Sequence, residues 1–429
     1  MSNTLATEPN DSIESETSNS TEQVEDTKPL IKQPPILFVD PPSRLTQAGP
    51  EKIRYDFNFG CRVELPALQN GKKWKLRYTD MVTANIIFEV EVEGGTYQST
   101  KTYFVPFRIE CWRDDKKIFT HEMNLINQNV QVQIPVGTLG DVIAWFPYVD
   151  LFQKKHQCKL SCVISDAVRP LFEKVYPNII FVSQEEAVKM QDSLYASYRL
   201  GLYFDDWDCT RQPVDFRYVG LHKTAAYILD VEPIESAPLL NIGDAKRTIK
   251  EPYVCIAVQS STQSKYWNNP HGWYEIVKWL KEAGYRVLCI DKDPVWGHGS
   301  SWNYIPNGAE DMTGELPLLE RAALLKHADF FIGLSSGLAW VAWAAGIPTV
   351  MISGFTHPNN EFQTPYRVFN HHTCNSCWND PKQIFDHFDF MWCPRHKSTD
   401  RQFECTRLIT VDHVKSIIRG IPGFLERTK

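Results

Sequence analysis

No stretch of this chain is both long and unbroken in its apolar character. The one uncharged run long enough to raise the question of a membrane span, 330–356, is interrupted by Gly333, Ser335, Ser336, Gly337, Gly346, Pro348 and Gly354. The pieces left are far shorter than the roughly 20 residues a spanning helix needs, so no transmembrane segment is expected. The run reads instead as strand, loop, helix and strand buried on several sides. No basic segment followed by an apolar run opens the sequence, so no secretory signal is expected. The 11 cysteines are an odd number, which does not point to a disulfide framework, and the protein is expected in the reducing cytoplasm. A basic excess is missing as well. The net charge is −7, and residues 1–28 carry seven acids (Glu8, Asp11, Glu14, Glu16, Glu22, Glu25, Asp26) against Lys28, or −6, which leaves −1 for the remainder. That balance lacks the electrostatic footprint of a nucleic-acid binder. It also marks 1–35 as a disordered acidic tail with too little apolar surface to offset its ordering entropy.

What is present is bulk. Hydrophobic residues make up 43% of the 429, with 13 Trp, 17 Tyr and 23 Phe, enough for two or three cores. From 36 to 130, short apolar and polar runs alternate, with turn signals at Gln69-Asn70-Gly71 and Glu93-Gly94-Gly95, which predicts a small antiparallel β domain. At about 131 the pattern changes to strand, glycine turn, helix and strand, the βαβ signature of a Rossmann-like domain over 131–245. A second such domain over 246–429 is expected from strands near 253, 286, 329 and 349 and helices near 273, 338 and 411. The fold class is therefore α/β: two Rossmann-like domains behind an antiparallel β domain.

The last domain carries an insertion, 371–408, with Cys374, Cys377, Cys393 and Cys405 in a C-x2-C-x15-C-x11-C array. Four thiolates at that spacing converge on one tetrahedral metal, and Cys374-Asn-Ser-Cys377 supplies two of them from a single turn. The alternative is four unrelated buried thiols. The segment lacks the periodic apolar residues needed to fold by burial alone, and that favours a metal. Four sulfurs leave no open coordination position, so the role is structural, and softness permits zinc or iron.

Three clusters fall at strand ends, where open α/β sheets bind ligands. Asp141 closes Gly137-Thr138-Leu139-Gly140-Asp141 at the start of a helix. It reads either as a helix cap or as a general base that takes the proton of an attacking hydroxyl, and one carboxylate can do both. The loop 259–269 holds Lys265 and Trp267. It reads as a solvated polar loop or as a phosphate cradle in which Lys265 neutralises a departing diphosphate and Trp267 lines the site. Ser335, Ser336 and Gly337 open a further helix, whose free first-turn amides suit a pyrophosphate without a metal, although serine is also an ordinary cap. None of these glycine turns matches a Walker loop or the full G-x-G-x-x-G fingerprint, which leaves a nucleoside triphosphatase or nicotinamide dehydrogenase poorly supported.

Together these motifs resemble the bacterial autotransporter heptosyltransferases, relatives of the lipopolysaccharide-core heptosyltransferases. The resemblance rests on Gly137-Thr-Leu-Gly-Asp141-Val-Ile-Ala-Trp, Ser264-Lys265-Tyr-Trp267, Ser336-Gly337-Leu-Ala-Trp before Gly346-Ile-Pro, the segment 218–226 and the cysteine array, and it covers roughly 36–425. It implies a GT-B type enzyme with an iron finger, assembled as a large homo-oligomer. The implied reaction is inverting transfer of heptose from ADP-heptose to serines of autotransporter adhesins in the cytoplasm. Asp141 would be the base and Lys265 the phosphate contact, with Thr138, Leu139, Gly140, Trp267, Ser335, Ser336 and Gly337 binding substrate and no catalytic metal. Lipopolysaccharide-core relatives often carry an acidic residue and Thr where this chain has Leu334-Ser335-Ser336. Two other readings are a glycosyltransferase acting on lipopolysaccharide or another glycan, and a metal-finger interaction scaffold.

Overall fold

Residues at period two build the first strands. In Trp74–Asp80, Trp74, Leu76 and Tyr78 are fully buried while Lys75 and Arg77 turn outward. In the computed structural model, which describes residues 38–134 and 138–424, this strand joins Ile86–Val92, Phe107–Arg113 and Lys116–Glu122 in a four-stranded antiparallel sheet. The tail expected over 1–35 lies outside the described residues, as does Gly137.

The rest of 36–130 shares a sheet with the segment that follows it. Strands Arg54–Asn58, Arg62–Leu65 and Gly95–Gln98 continue the sheet formed by Ile179–Val182, Lys159–Val163, Asn129–Gln133 and Ala196–Arg199, and Gln47–Ala48 adds an eighth strand. Arg54–Asn58 pairs in parallel with Ala196–Arg199, so a boundary at 130 cuts through one sheet. Local alternation could not show this pairing, because it joins segments about 140 residues apart. The second parallel sheet runs Glu310–Asp311, Arg286–Cys289, Tyr253–Ala257, Phe330–Leu334, Thr349–Ser353 and Arg367–Phe369. The cysteine-rich segment lies between its last strand and the helix Val411–Arg419.

Two helices bring the sheets together. Leu139–His156 follows the strand Asn129–Gln133 and is buried on nearly every side, as a helix sandwiched between layers must be. Gly337–Ala344 follows Phe330–Leu334 and packs against it. One apolar cluster runs from Val130 and Val132 through Val142, Ile143, Trp340 and Val341 to Cys255 and Ala257. The seam between the sheets is thus part of the core. Among the described residues no helix is long and apolar enough to cross a membrane.

Candidate active site and metal finger

At that seam both helix N-termini open on one cavity of about 50 Å³, lined by Thr138, Gly140, Asp141, Lys265, Ser335, Ser336, Gly337, Trp340, Thr356, Asn360, Glu361 and Trp378, with Leu202 and Leu221. Seven residues singled out from sequence meet here. Leu139 does not line the cavity; its Cβ lies only 2.7 Å from where a Cβ on Gly337 would sit. Gly140 is matched in the same way by the Trp340 ring, also at 2.7 Å. Both glycines are therefore needed for close helix packing, whatever their amides do for a ligand. Trp267 is elsewhere. It is 3% exposed, donates its ring N–H to the Ile409 carbonyl at 3.0 Å and packs edge-on to Trp273. An indole that finds both an apolar bed and an acceptor stays in the core.

Asp141 occupies the third position of its helix. One oxygen, Oδ2, accepts from the Thr138 amide at 2.6 Å and the Thr138 hydroxyl at 3.1 Å, so the capping role is real. No described residue donates to Oδ1. Burial raises the carboxyl pKa above the usual carboxylate range, and the Thr138 bonds and the Lys265 charge pull it back only in part. A carboxylate held by one oxygen, desolvated and free at the other, is suited to take a proton.

Lys265 sits at the end of the turn Gln263–Lys265. Its ammonium makes no ion pair with a described residue. It lies 5.6 Å above the ring centres of both Phe355 and Trp378. Burial lowers its pKa, and the Asp141 charge raises it again. An ammonium without a direct ion-pair partner among the described residues, beside uncapped amides, makes an anion site. Ser336, at the cap position of Gly337–Ala344, makes no side-chain cap bond, and while the Ala339 amide donates to the Ser336 carbonyl at 3.1 Å, the Gly337 and Leu338 amides are left for a ligand. Ser335 instead donates to the Thr356 hydroxyl at 3.3 Å.

Glu361, Asn360, Thr356 and Trp378 carried no sequence signal. Glu361 is fully buried, accepts from Ser353 at 2.6 Å and pairs with Arg367, which spends its charge on anchoring the loop.

Cys374, Cys377, Cys393 and Cys405 are free, partly buried thiols. Burial and then the neighbouring thiols push Cys377 up to about 12 and Cys405 further still. Crowded thiols that raise one another's pKa without forming disulfides fit a bound cation, which relieves that repulsion and deprotonates them. Arg395 donates to the Cys374 sulfur at 3.6 Å, as a partner for thiolate charge. Cys374 also lies within 4.8 Å of His396 and Glu404 ligand atoms. Glu404, however, is committed to the Cys374 amide at 2.9 Å and to Arg401. Thiolate donors suit iron and zinc alike.

Known proteins give this geometry a context. Residues 49–115 match the model of the glycosyltransferase TibC N-terminal domain, and 222–385 match that of glycosyltransferase family 9 (heptosyltransferase). The chain is 52% identical over 390 residues to the autotransporter heptosyltransferase BAHTCr of Citrobacter rodentium, covering 90% of this chain and 93% of that protein. It is 50% identical to the crystallised dodecameric iron-containing heptosyltransferase TibC in complex with ADP-D-beta-D-heptose, with a TM-score of 0.85 over 91% of this chain and 100% of that one. It is also 41% identical, over 90% of each chain, to a Burkholderia thailandensis protein, BimC, described as an inactive autotransporter heptosyltransferase.

Proposed function

The chain belongs to the autotransporter heptosyltransferases, and from that premise we propose that it transfers heptose from ADP-heptose to serine hydroxyls of an autotransporter adhesin in the cytoplasm. The carrying observation is that Asp141, Lys265 and the uncapped start of Gly337–Ala344 share one cavity between two α/β lobes. That arrangement supports a GT-B type reading, with the acceptor on the Asp141 side and the sugar nucleotide on the other. Because an inactive relative exists, membership alone does not carry the activity, and the site residues must.

In the proposed step the serine oxygen bonds to the anomeric carbon as the bond from that carbon to the diphosphate oxygen breaks. The serine proton passes to Oδ1 of Asp141, and the electron pair leaves with ADP. Lys265 and the Gly337 and Leu338 amides stabilise the charge that builds on the leaving phosphate. Attack from the face opposite the leaving group inverts the anomeric centre. Thr138 holds Asp141 by its other oxygen, so the base keeps its direction while its proton affinity stays above that of a solvated carboxylate. A metal held by Cys374, Cys377, Cys393 and Cys405 would supply folding stability to the finger. Assembly into a large homo-oligomer accompanies this reading, since the TibC structures are described as dodecameric.

Incubating the purified chain with ADP-heptose and either an adhesin fragment or a core oligosaccharide, with mass spectrometry of both acceptors, tests the proposal. Heptose on the adhesin is expected, and Lys265→Ala should lower the rate by roughly 100-fold. Sugar on the oligosaccharide alone would redirect the acceptor assignment. No turnover of any sugar nucleotide would place the chain beside its inactive relative.

A further inference from the structure

The cysteine-rich finger is tied to the lysine turn at several independent points. The Phe390 carbonyl accepts from the Thr262 hydroxyl and from the Gln263 amide, each at 2.9 Å. The Asn268 side chain donates to the hydroxyl of Thr406, the residue after Cys405, at 2.9 Å. Most directly, the Trp378 ring is one of the two faces against which the Lys265 ammonium rests. Trp378 follows Cys377, and Trp392 precedes Cys393. These two indoles close a cluster with Phe355 and Phe385, with ring centres between 5.1 and 5.7 Å apart. The Trp378 and Ser376 amides donate to the Phe355 and Gly354 carbonyls at 3.2 and 2.8 Å, so the knuckle is stitched to the loop that carries the other face.

From this we propose that Trp378 is a positioning residue for Lys265, and that the metal finger holds it there. A lysine has four rotatable bonds, and with no ion pair to a described residue, only the Asp141 charge and the groups packed around it direct it. Here the direction comes from two aromatic faces, one on a loop of the parallel sheet and one on the turn that places Cys374 and Cys377 side by side. Ser376 in that turn is in the left-handed conformation at φ 61°. A metal bound by Cys374 and Cys377 fixes the turn, the turn fixes the indole, and the indole fixes the ammonium. The finger then belongs to the active site as well as to the fold. The consequence for transfer rests on Lys265 being the diphosphate contact. Where its amine sits is measurable without that assumption.

The test is competitive labelling of lysine amines with acetic anhydride in the full metal-loaded chain, read by peptide mass spectrometry against exposed Lys292. Trp378→Leu, which fills space without a π face, should raise Lys265 labelling several-fold while metal content stays at wild type. It should lower kcat about tenfold with a smaller change in KM, and Trp378→Phe should recover most of both effects. Stripping the metal from the wild-type chain with a chelator should raise Lys265 labelling, and reloading should reverse it. The chelation cycle carries the test alone if the leucine variant does not fold. Unchanged Lys265 labelling through that cycle, or in a folded, metal-loaded Trp378→Leu, overturns the proposal. If labelling responds but Lys265→Ala transfers normally, the positioning stands and the diphosphate assignment falls.

Discussion

Asp141 shows how one side chain meets two demands. Its Oδ2 closes the helix start, its Oδ1 accepts from no described residue, and the side chain lines the cavity, so an asparagine can keep the cap through its carbonyl oxygen while losing the base. Burial raises the carboxyl pKa in the folded state above its unfolded value. The folded chain therefore holds that proton over the window between the two values. Stability from this group is greatest on the acid side and is lost as pH rises through the folded value. Once ionised the buried group is a cost, so Asp141→Asn should melt no lower than wild type on the alkaline side of that window and lose transfer by roughly 100-fold or more. Differential scanning calorimetry beside a rate assay checks both. The wild-type rate should fall as pH drops through the same raised pKa, above the range where a solvated carboxylate titrates. A variant that transfers normally removes the base. The candidate residues Asp141 and Lys265 were legible in the sequence because charged side chains at strand ends in α/β folds have few other employments. Trp267 was misread because an indole beside a loop and an indole beneath one look alike until its acceptor, the Ile409 carbonyl, is located.

At the scale of elements, the seam between Leu139–His156 and Gly337–Ala344 has no slack. A Cβ on Gly337 would sit 2.7 Å from that of Leu139, and backbone-attached atoms cannot swing away as a side-chain tip can. Gly337→Ala should therefore push the two helix starts apart, at a cost of about 1–3 kcal/mol. The loss should fall on the cavity more than on either sheet. The expected readout is a drop in kcat/KM several-fold larger than the fall in thermal stability would explain, measured by steady-state kinetics and by urea unfolding. A variant with intact kinetics would mean the helices have room to shift. The sequence marked both helix starts, because glycine and serine before an apolar run are helix punctuation. It read the glycines as places for a ligand. The structure adds that they first make room for one another's helices.

For the whole molecule the finger is the element that cannot stand by burial alone. Ile384 and Phe388 within it are 80% and 94% exposed, the reverse of a self-sufficient core. Cys374→Ser and Cys405→Ser should each lose the metal, loosen the finger and weaken self-association. Elemental analysis and light scattering on the purified variants measure this, and full metal in both would contradict a four-thiolate site. By itself the sequence determined the two α/β halves, the three strand-end clusters and the cysteine array. All of these are written in short-range pattern: hydrophobic period, turn residues and ligand spacing. Tertiary structure alone decided that Arg54–Asn58 lies beside Ala196–Arg199 in one sheet, that Trp267 is core while Trp378 lines the cavity, and that the cysteine-rich finger touches the lysine turn. Those are pairings between segments tens to hundreds of residues apart. They are set by which surfaces bury each other once the chain has collapsed, and local pattern carries no record of that.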